Sequence, residues 1–440
     1  MHATEVFGAY AESFEKQTLP HEVLHHAKRA VVDWYAALYS GLSTPPLAQL
    51  STILEEDIGR GSATLPDGRH ASARTAALFN GTAAHAAEVD DSFKDAMYHP
   101  GAATIAAALA VAQARKRSGS DFLRSVILGY EISTRIGVVL GRAHYKYWHN
   151  TGTVGAFGAA AAAGLGFGLS RIQFAHALAT VGTFSAGLQQ AFRMDSMSKP
   201  LHAGRAAEAG VFAADMARHG TTGSLDILDG DAGFGRAMSD GPDWSGVGST
   251  LGEIFNITRL TFKNHIGCGH AFPAIDATLA LMAEHHLQAS DIRTVSVATY
   301  GPALDIACYA QPRTENEARF SIPFVIATAI LHGSVRQAAY SSGRLADAEM
   351  RAMMARVTAV VDPELDLAFP KQRSARVEIE TMDGRRHVWL QKDRKGDPEL
   401  PLSDRELEGK FRELVAPVIG NREAGDLLAR IWSLDSVIAM

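Results

Sequence analysis

Cysteine is almost missing from this chain: only Cys268 and Cys308 occur in 440 residues. Two thiols make no disulfide framework, and such sparse usage fits a reducing compartment. A long hydrophobic run is also missing. The most apolar stretch, residues 154–169, is short and broken by glycine, which suits a buried helix and falls short of a membrane span. The opening Met1-His2-Ala3-Thr4-Glu5 has neither a basic n-region nor an apolar h-region, so no signal peptide is read. The expected location is the cytoplasm. Basic blocks are absent and the net charge is -6, so nucleic acid is not an expected partner.

Several signatures of common chemistry are absent as well. No G-x-x-x-x-G-K-[ST] occurs, and Gly164-Leu165-Gly166-Phe167-Gly168 lacks dinucleotide spacing. Gly182-Thr183-Phe184-Ser185-Ala186-Gly187 misses the nucleophile elbow by one residue. His265, Cys268 and His270 give three metal-type groups at an unusual spacing with no second Cys pair, so no metal is expected.

What is present is helix, then a change of texture. The length, with 47% hydrophobic residues, supports two or three domains with substantial cores. After Pro20, Val23, Leu24, Ala27, Ala30, Val31, Trp34, Tyr35 and Leu38 keep a helical period that Gly41 ends. Residues 102–115, 122–141, 156–164 and 201–219 continue it, the last two with small residues that let helices approach closely. Past Lys263, residues 294–299 and 357–361 read as strands, and residues 377–381 and 387–390 flank Asp383-Gly384 as a hairpin. Helical stretches lie between them. Ser403-x-x-Glu406 is a capping box, after which helical period resumes. The expected fold is therefore mainly α: an all-helical domain, 1–265 plus 397–440, with a smaller α+β domain, 266–396, inserted.

Three helix starts carry unusual side chains. His99-Pro100, His149-Asn150-Thr151-Gly152-Thr153 and Lys199-Pro200-Leu201-His202 each place a cationic or titratable group just before a small-residue helix. Pro fits the first helical position, and Thr151 and Thr153 can cap the second of these helices. A helix N-terminus offers free N–H groups and partial positive charge, which suits a carboxylate. If the three ends converge, the pocket fits a polycarboxylate. Glu88, Asp91 and Asp95 lie at helical spacing and could share a face. Tyr145 precedes Trp148-His149, where a phenol could exchange a proton. Lys263 stands at the domain junction and suits substrate binding in a cleft.

In order along the chain, Asn80-Gly81 with His85, Asp90-Asp91 and His99-Pro100; Gly129-Tyr130-Glu131; Trp148-His149-x-Thr151-Gly152-Thr153-x-Gly155; Lys199-Pro200-Leu201-His202-x-Gly204; Lys263 ahead of Cys268; Ala318-Arg319-Phe320-Ser321; and Gly396-Asp397-Pro398 resemble the MmgE/PrpD family. That family includes 2-methylcitrate dehydratase, cis-aconitate decarboxylase and iminodisuccinate epimerase. The resemblance implies a homodimer without metal or organic cofactor, in which the smaller domain is a lid over an active site between the domains. By position it assigns active-site roles to Glu88, Ser92, His99, His149, Lys199, Lys263 and Phe324. Tyr145 lies where the epimerase branch has its tyrosine. Glu88, Ser92 and Phe324 depart from the decarboxylase branch, which has Asp, Thr and Tyr there.

The resulting expectation is a lyase or isomerase acting on a small di- or tricarboxylic acid by proton transfer next to a carboxylate. Lys199, His149, His99 and Tyr145 are the catalytic candidates. Lys263, Glu88, Ser92, Asp91 and Phe324 are the substrate-binding candidates. One alternative is an epimerase using Tyr145 and Lys199. Another is a non-catalytic polycarboxylate-binding protein, with Phe324 and Glu88 as its signs.

Overall fold

A computed structural model describes residues 1–192, 196–369 and 371–440. It is mainly helical and divides into two compact units. The first holds Met1–Phe262 and Ser403–Met440, and the second is the continuous segment Lys263–Leu402. None of the described helices is long and apolar enough to cross a membrane.

The first unit opens with α1 (Ala3–Phe14), α2 (His21–Gly41) and α3 (Leu47–Ile53). Here one feature corrects the all-helical expectation. β1 (Ile58–Thr64) and β2 (His70–Ala71) pair antiparallel as a small hairpin. Gly59 and Gly61 hold φ values of 88° and 112°, a region open to glycine and costly to a helix.

The buried centre follows: α4 (Ala73–Ala86), α5 (Pro100–Ala114), α6 (Gly119–Tyr145), α7 (Asn150–Phe167), α8 (Arg171–Gly182), α9 (Lys199–Arg218) and the short α10 (Phe234–Met238). Nearly every residue of α5 and α7 is buried. Such helices must be covered all round, and α7 packs against α9, α6 and α5 while α4 packs against α9, α5 and α2. Alanine and glycine make this closeness possible. A Cβ on Gly204 of α9 would collide with Thr82 Oγ1 and the Leu78 carbonyl of α4. That contact brings the end of α4 next to the start of α9. Ser72 caps α4 through its hydroxyl, and Ser118 and Asp121 form a capping box on α6.

The second unit contains α11 (Phe272–Glu284), β3 (Ile292–Thr299), α12 (Gly301–Ile306), α13 (Glu315–Arg319), α14 (Ile322–His332), α15 (Ser342–Ala346), α16 (Ala348–Met354), β4 (Val357–Val361), α17 (Pro363–Ala368), β5 (Ala375–Thr381) and β6 (Arg386–Gln391). Its sheet runs in the order β4-β3-β5-β6. β3 is parallel to β4 and antiparallel to β5. β5 and β6 form a hairpin in which Gly384 takes φ 85°. α11 covers β5 and β6.

The chain then rejoins the first unit. α18 (Asp404–Ile419), with the Ser403/Glu406 capping box in place, packs on α2, and α19 (Asn421–Trp432) completes the unit. Lys410 of α18, fully buried, pairs with Asp33 of α2 and donates to the Val89 carbonyl at 2.8 Å. α18 thereby anchors the segment that follows α4.

Candidate active site

That segment decides the geometry. α4 stops at Ala86, and Glu88 takes the left-handed φ of 60°, a conformation that costs a glutamate on the order of 1–3 kcal/mol. The helix therefore does not carry Glu88, Asp91 and Asp95 on one face, as their spacing implied. Asp95 is turned outward and pairs with Arg259 at 2.9 Å. Asp91 is buried, 2.6 Å from the Tyr130 hydroxyl, and accepts from the Gly101 amide at 3.0 Å. Burial, and then the nearby Asp33, push its carboxyl up to about 8. Asp91 is thus committed to the first turn of α5, and its placement is that of an anchor. Ser92 is half-buried, and its backbone bridges Thr261 in both directions at 2.9 and 2.8 Å.

The turn sets Asp90 beneath two imidazoles. His85, fully buried in the last turn of α4, has its Nδ1 2.7 Å from Asp90 Oδ2. His99 is the N-cap residue of α5. Its Nδ1 lies 2.7 Å from the Asp91 carbonyl and 3.5 Å from Asp90 Oδ2. The His85 ring is centred 5.1 Å from His99 and 5.3 Å from His149. His149 is the N-cap residue of α7, and its Nδ1 lies 3.0 Å from Nδ1 of His202. Four imidazoles therefore form one cluster. His85 Nε2 has no hydrogen-bond partner although it is buried.

Lys199 completes the cluster. It is the first residue of α9, one position earlier than the sequence suggested, and its ammonium pairs with Glu88. The ammonium also sits 4.7 Å over the Phe192 ring, and that ring meets His149 edge-on at 4.8 Å. The three helix starts do converge. Thr151 and Thr153 do not cap α7. Both lie inside the helix, and the Thr153 hydroxyl sits 3.3 Å from the His149 carbonyl and 2.7 Å from His144 Nε2.

Crowding controls charge here. Burial, followed by His85, Lys199, His202 and His99, holds His149 well below the usual imidazole range. Burial, with His85 and Lys199, lowers His202 to about 4. At neutral pH both rings are uncharged. An anionic ligand entering the cluster would favour protonation of the His149–His202 pair.

Tyr145 closes α6, is half-buried, and makes no hydrogen bond to the cluster among the described residues. Lys263 and Phe324 belong to the second unit. Lys263 is half-buried near Cys268. Phe324 is fully buried in α14, against Tyr340 at 5.9 Å between ring centres. It is a core side chain of that unit. Among the described residues, His85, Asp90 and His99 are close enough to hold a metal ion, with ligand atoms within 4.8 Å of one another. Nδ1 of each ring is already taken by a hydrogen bond.

Sequence reasoning gave no role to His85, Asp90 or His202. The signal for His202 was its place three residues after Lys199, one helical turn on. His85 reads from sequence as an ordinary core histidine of an Ala-rich helix.

Comparison with known proteins covers nearly the whole chain. The MmgE/PrpD N-terminal domain matches residues 5–246, and the MmgE/PrpD C-terminal domain matches residues 265–435. Cis-aconitate decarboxylase of Homo sapiens is 27% identical over 449 residues, covering 99% of this chain and 92% of that protein. A cis-aconitate decarboxylase-like protein of Aspergillus oryzae is 25% identical over 95% of this chain and 91% of its own length. Cis-aconitate decarboxylase of Aspergillus terreus is 23% identical over 97% of this chain and 92% of its own length.

Proposed function

The chain belongs to the MmgE/PrpD family, and we propose that it is a lyase acting on a small tricarboxylate of the cis-aconitate kind, by proton transfer beside a carboxylate. The observation that carries this reading is the cluster itself. Four imidazoles and an ammonium meet at three helix starts, and His149 and His202 are kept uncharged there by burial and then by His85 and Lys199. That the curated relatives are decarboxylases adds support for carbon–carbon bond cleavage.

The chemistry follows from the charges. Loss of carbon dioxide leaves an electron pair on carbon, which spreads into the neighbouring unsaturated acid. Lys199 and the first turns of α5, α7 and α9 supply positive potential where that charge develops. His149 or His99 then delivers a proton to the carbon, a positioned transfer worth roughly 10²–10⁴ in rate. No metal or organic cofactor takes part in this scheme. A homodimer is part of the proposal, and light scattering on the purified protein tests it.

Proton NMR in deuterated water tests the activity. Incubation with cis-aconitate should give a decarboxylated product carrying solvent deuterium on the reacting carbon. A dehydratase would instead consume citrate or 2-methylcitrate. An epimerase would exchange the α-proton of an aspartate-derived acid without net loss. Complete inertness toward all of these, with tight binding of any, would favour the non-catalytic binder and sink the lyase reading.

A further inference from the structure

The pair His149–His202 is held in a defined geometry. The two Nδ1 atoms face each other at 3.0 Å. Two ring nitrogens that close share one proton: one ring donates and the other accepts. The loop opposite fixes both partners. The Gly187 carbonyl accepts from the His149 amide at 2.9 Å, and residues 148 and 188 form a β-bridge. Gly187 itself has φ 142°, and a Cβ there would come within 3.1 Å of His202 Nδ1. The bare glycine leaves room for the His202 ring while its backbone holds His149. On its other side His202 lines an open groove of about 800 Å³, with Gly152, Leu188 and Phe212 among its walls.

We propose that His202 is a positioning residue that donates its Nδ1 proton to His149, fixing His149 as the tautomer with its proton on Nε2. His149 thereby enters the reaction as an uncharged acid. Among the described residues, the groups facing the pair include His85, Lys199, His99 and Phe192. With Nδ1 occupied as an acceptor, the only N–H of the neutral ring is Nε2. In the reaction, the Nε2–H bond breaks and a C–H bond forms on the electron pair left by departing carbon dioxide. This assignment of an acid rests on the lyase reading above, while the tautomer itself does not.

The test uses the full-length protein labelled with ¹⁵N-histidine, with His149→Ala supplying the assignment. Long-range proton–nitrogen spectra at pH 7.5 should show His149 protonated on Nε2 in the wild type. His202→Leu should convert it to a mixture of tautomers, and His202→Gln, which keeps a donor amide, should restore the wild-type pattern. In steady state, His202→Leu should lower kcat on the order of a hundredfold with KM nearly unchanged, and His202→Gln should recover most of it. Two results overturn the proposal: His149 protonated on Nδ1 in the wild type, or an Nε2 tautomer that His202→Leu leaves intact. A wild-type enzyme inert to every tricarboxylate but with the expected spectra would defeat the lyase reading alone.

Discussion

The two units each bury a histidine against an aspartate, and the pairs have little else in common. In the first unit His85 meets Asp90 at 2.7 Å; in the second His265 meets Asp276 at 2.9 Å. Each histidine leaves one ring nitrogen without a hydrogen-bond partner. Around His265 the neighbour is Phe272, edge-on at 5.4 Å, and Asp276 is closed off by the Lys395 amide at 2.8 Å. Around His85 stand two more imidazoles, with His202 and Lys199 just beyond. The same dyad ties down a chain segment in one place and serves a crowded imidazole cluster in the other. The surroundings assign the role, since the pair alone does not.

The largest expected effect sharpens that contrast at its centre. His149→Ala, or Lys199→Ala, should cut turnover by roughly 10²–10⁴ while the far-ultraviolet circular dichroism stays that of the wild type. Turnover that survives both changes would break the contrast. Next come the dyads themselves. Asp276→Asn should lower stability by roughly 1–3 kcal/mol, read by chemical denaturation, and leave kcat within a few-fold of wild type. Asp90→Asn should lower kcat by on the order of tenfold or more. Equal kinetic losses in the two variants would show that the dyads are not distinguished by their surroundings.

A smaller effect appears in the pH dependence of stability. The Asp91 carboxyl is raised from 3.8 to about 8. Between those values the folded state holds a proton that the unfolded chain has lost, so stability falls as pH rises toward 8. His202 is lowered from 6.5 to about 4, and His149 is lowered as well. Their contribution is complete above pH 6.5 and is lost as pH falls below it. Thermal unfolding should therefore peak near pH 6.5. Asp91→Asn should remove the decline on the alkaline side, and a decline that persists in the variant would contradict this placement of Asp91.

Periodicity and caps revealed the helices, the β5–β6 hairpin and the capping box at Ser403, because those features depend on near neighbours. The turn at Glu88 was hidden: glutamate is no turn former, and its left-handed backbone is imposed by packing, with Lys410 of the distant α18 bonded to the carbonyl of the next residue, Val89. Spacing along the chain therefore extended α4 too far and gave Asp91 and Asp95 a shared face that they lack. The convergence of His99, His149 and Lys199 could be suspected from three similar helix starts. It could not be derived, because it depends on how closely α4 and α9 pack at Gly204. His85 and His202 escaped for the same reason, since each becomes chemically interesting only beside residues far away in sequence.

The central claim is that this buried cluster is a polycarboxylate site whose His149–His202 pair takes up one proton, carried by His202, when the anion arrives. Titration calorimetry with propane-1,2,3-tricarboxylate, a saturated ligand that has no alkene to react, measures this in buffers of different ionisation enthalpy at pH 7.5. The wild type should bind with a net uptake of protons, and His149→Ala should bind more weakly with less uptake. Binding that carries no proton linkage and is untouched by His149→Ala would contradict the account.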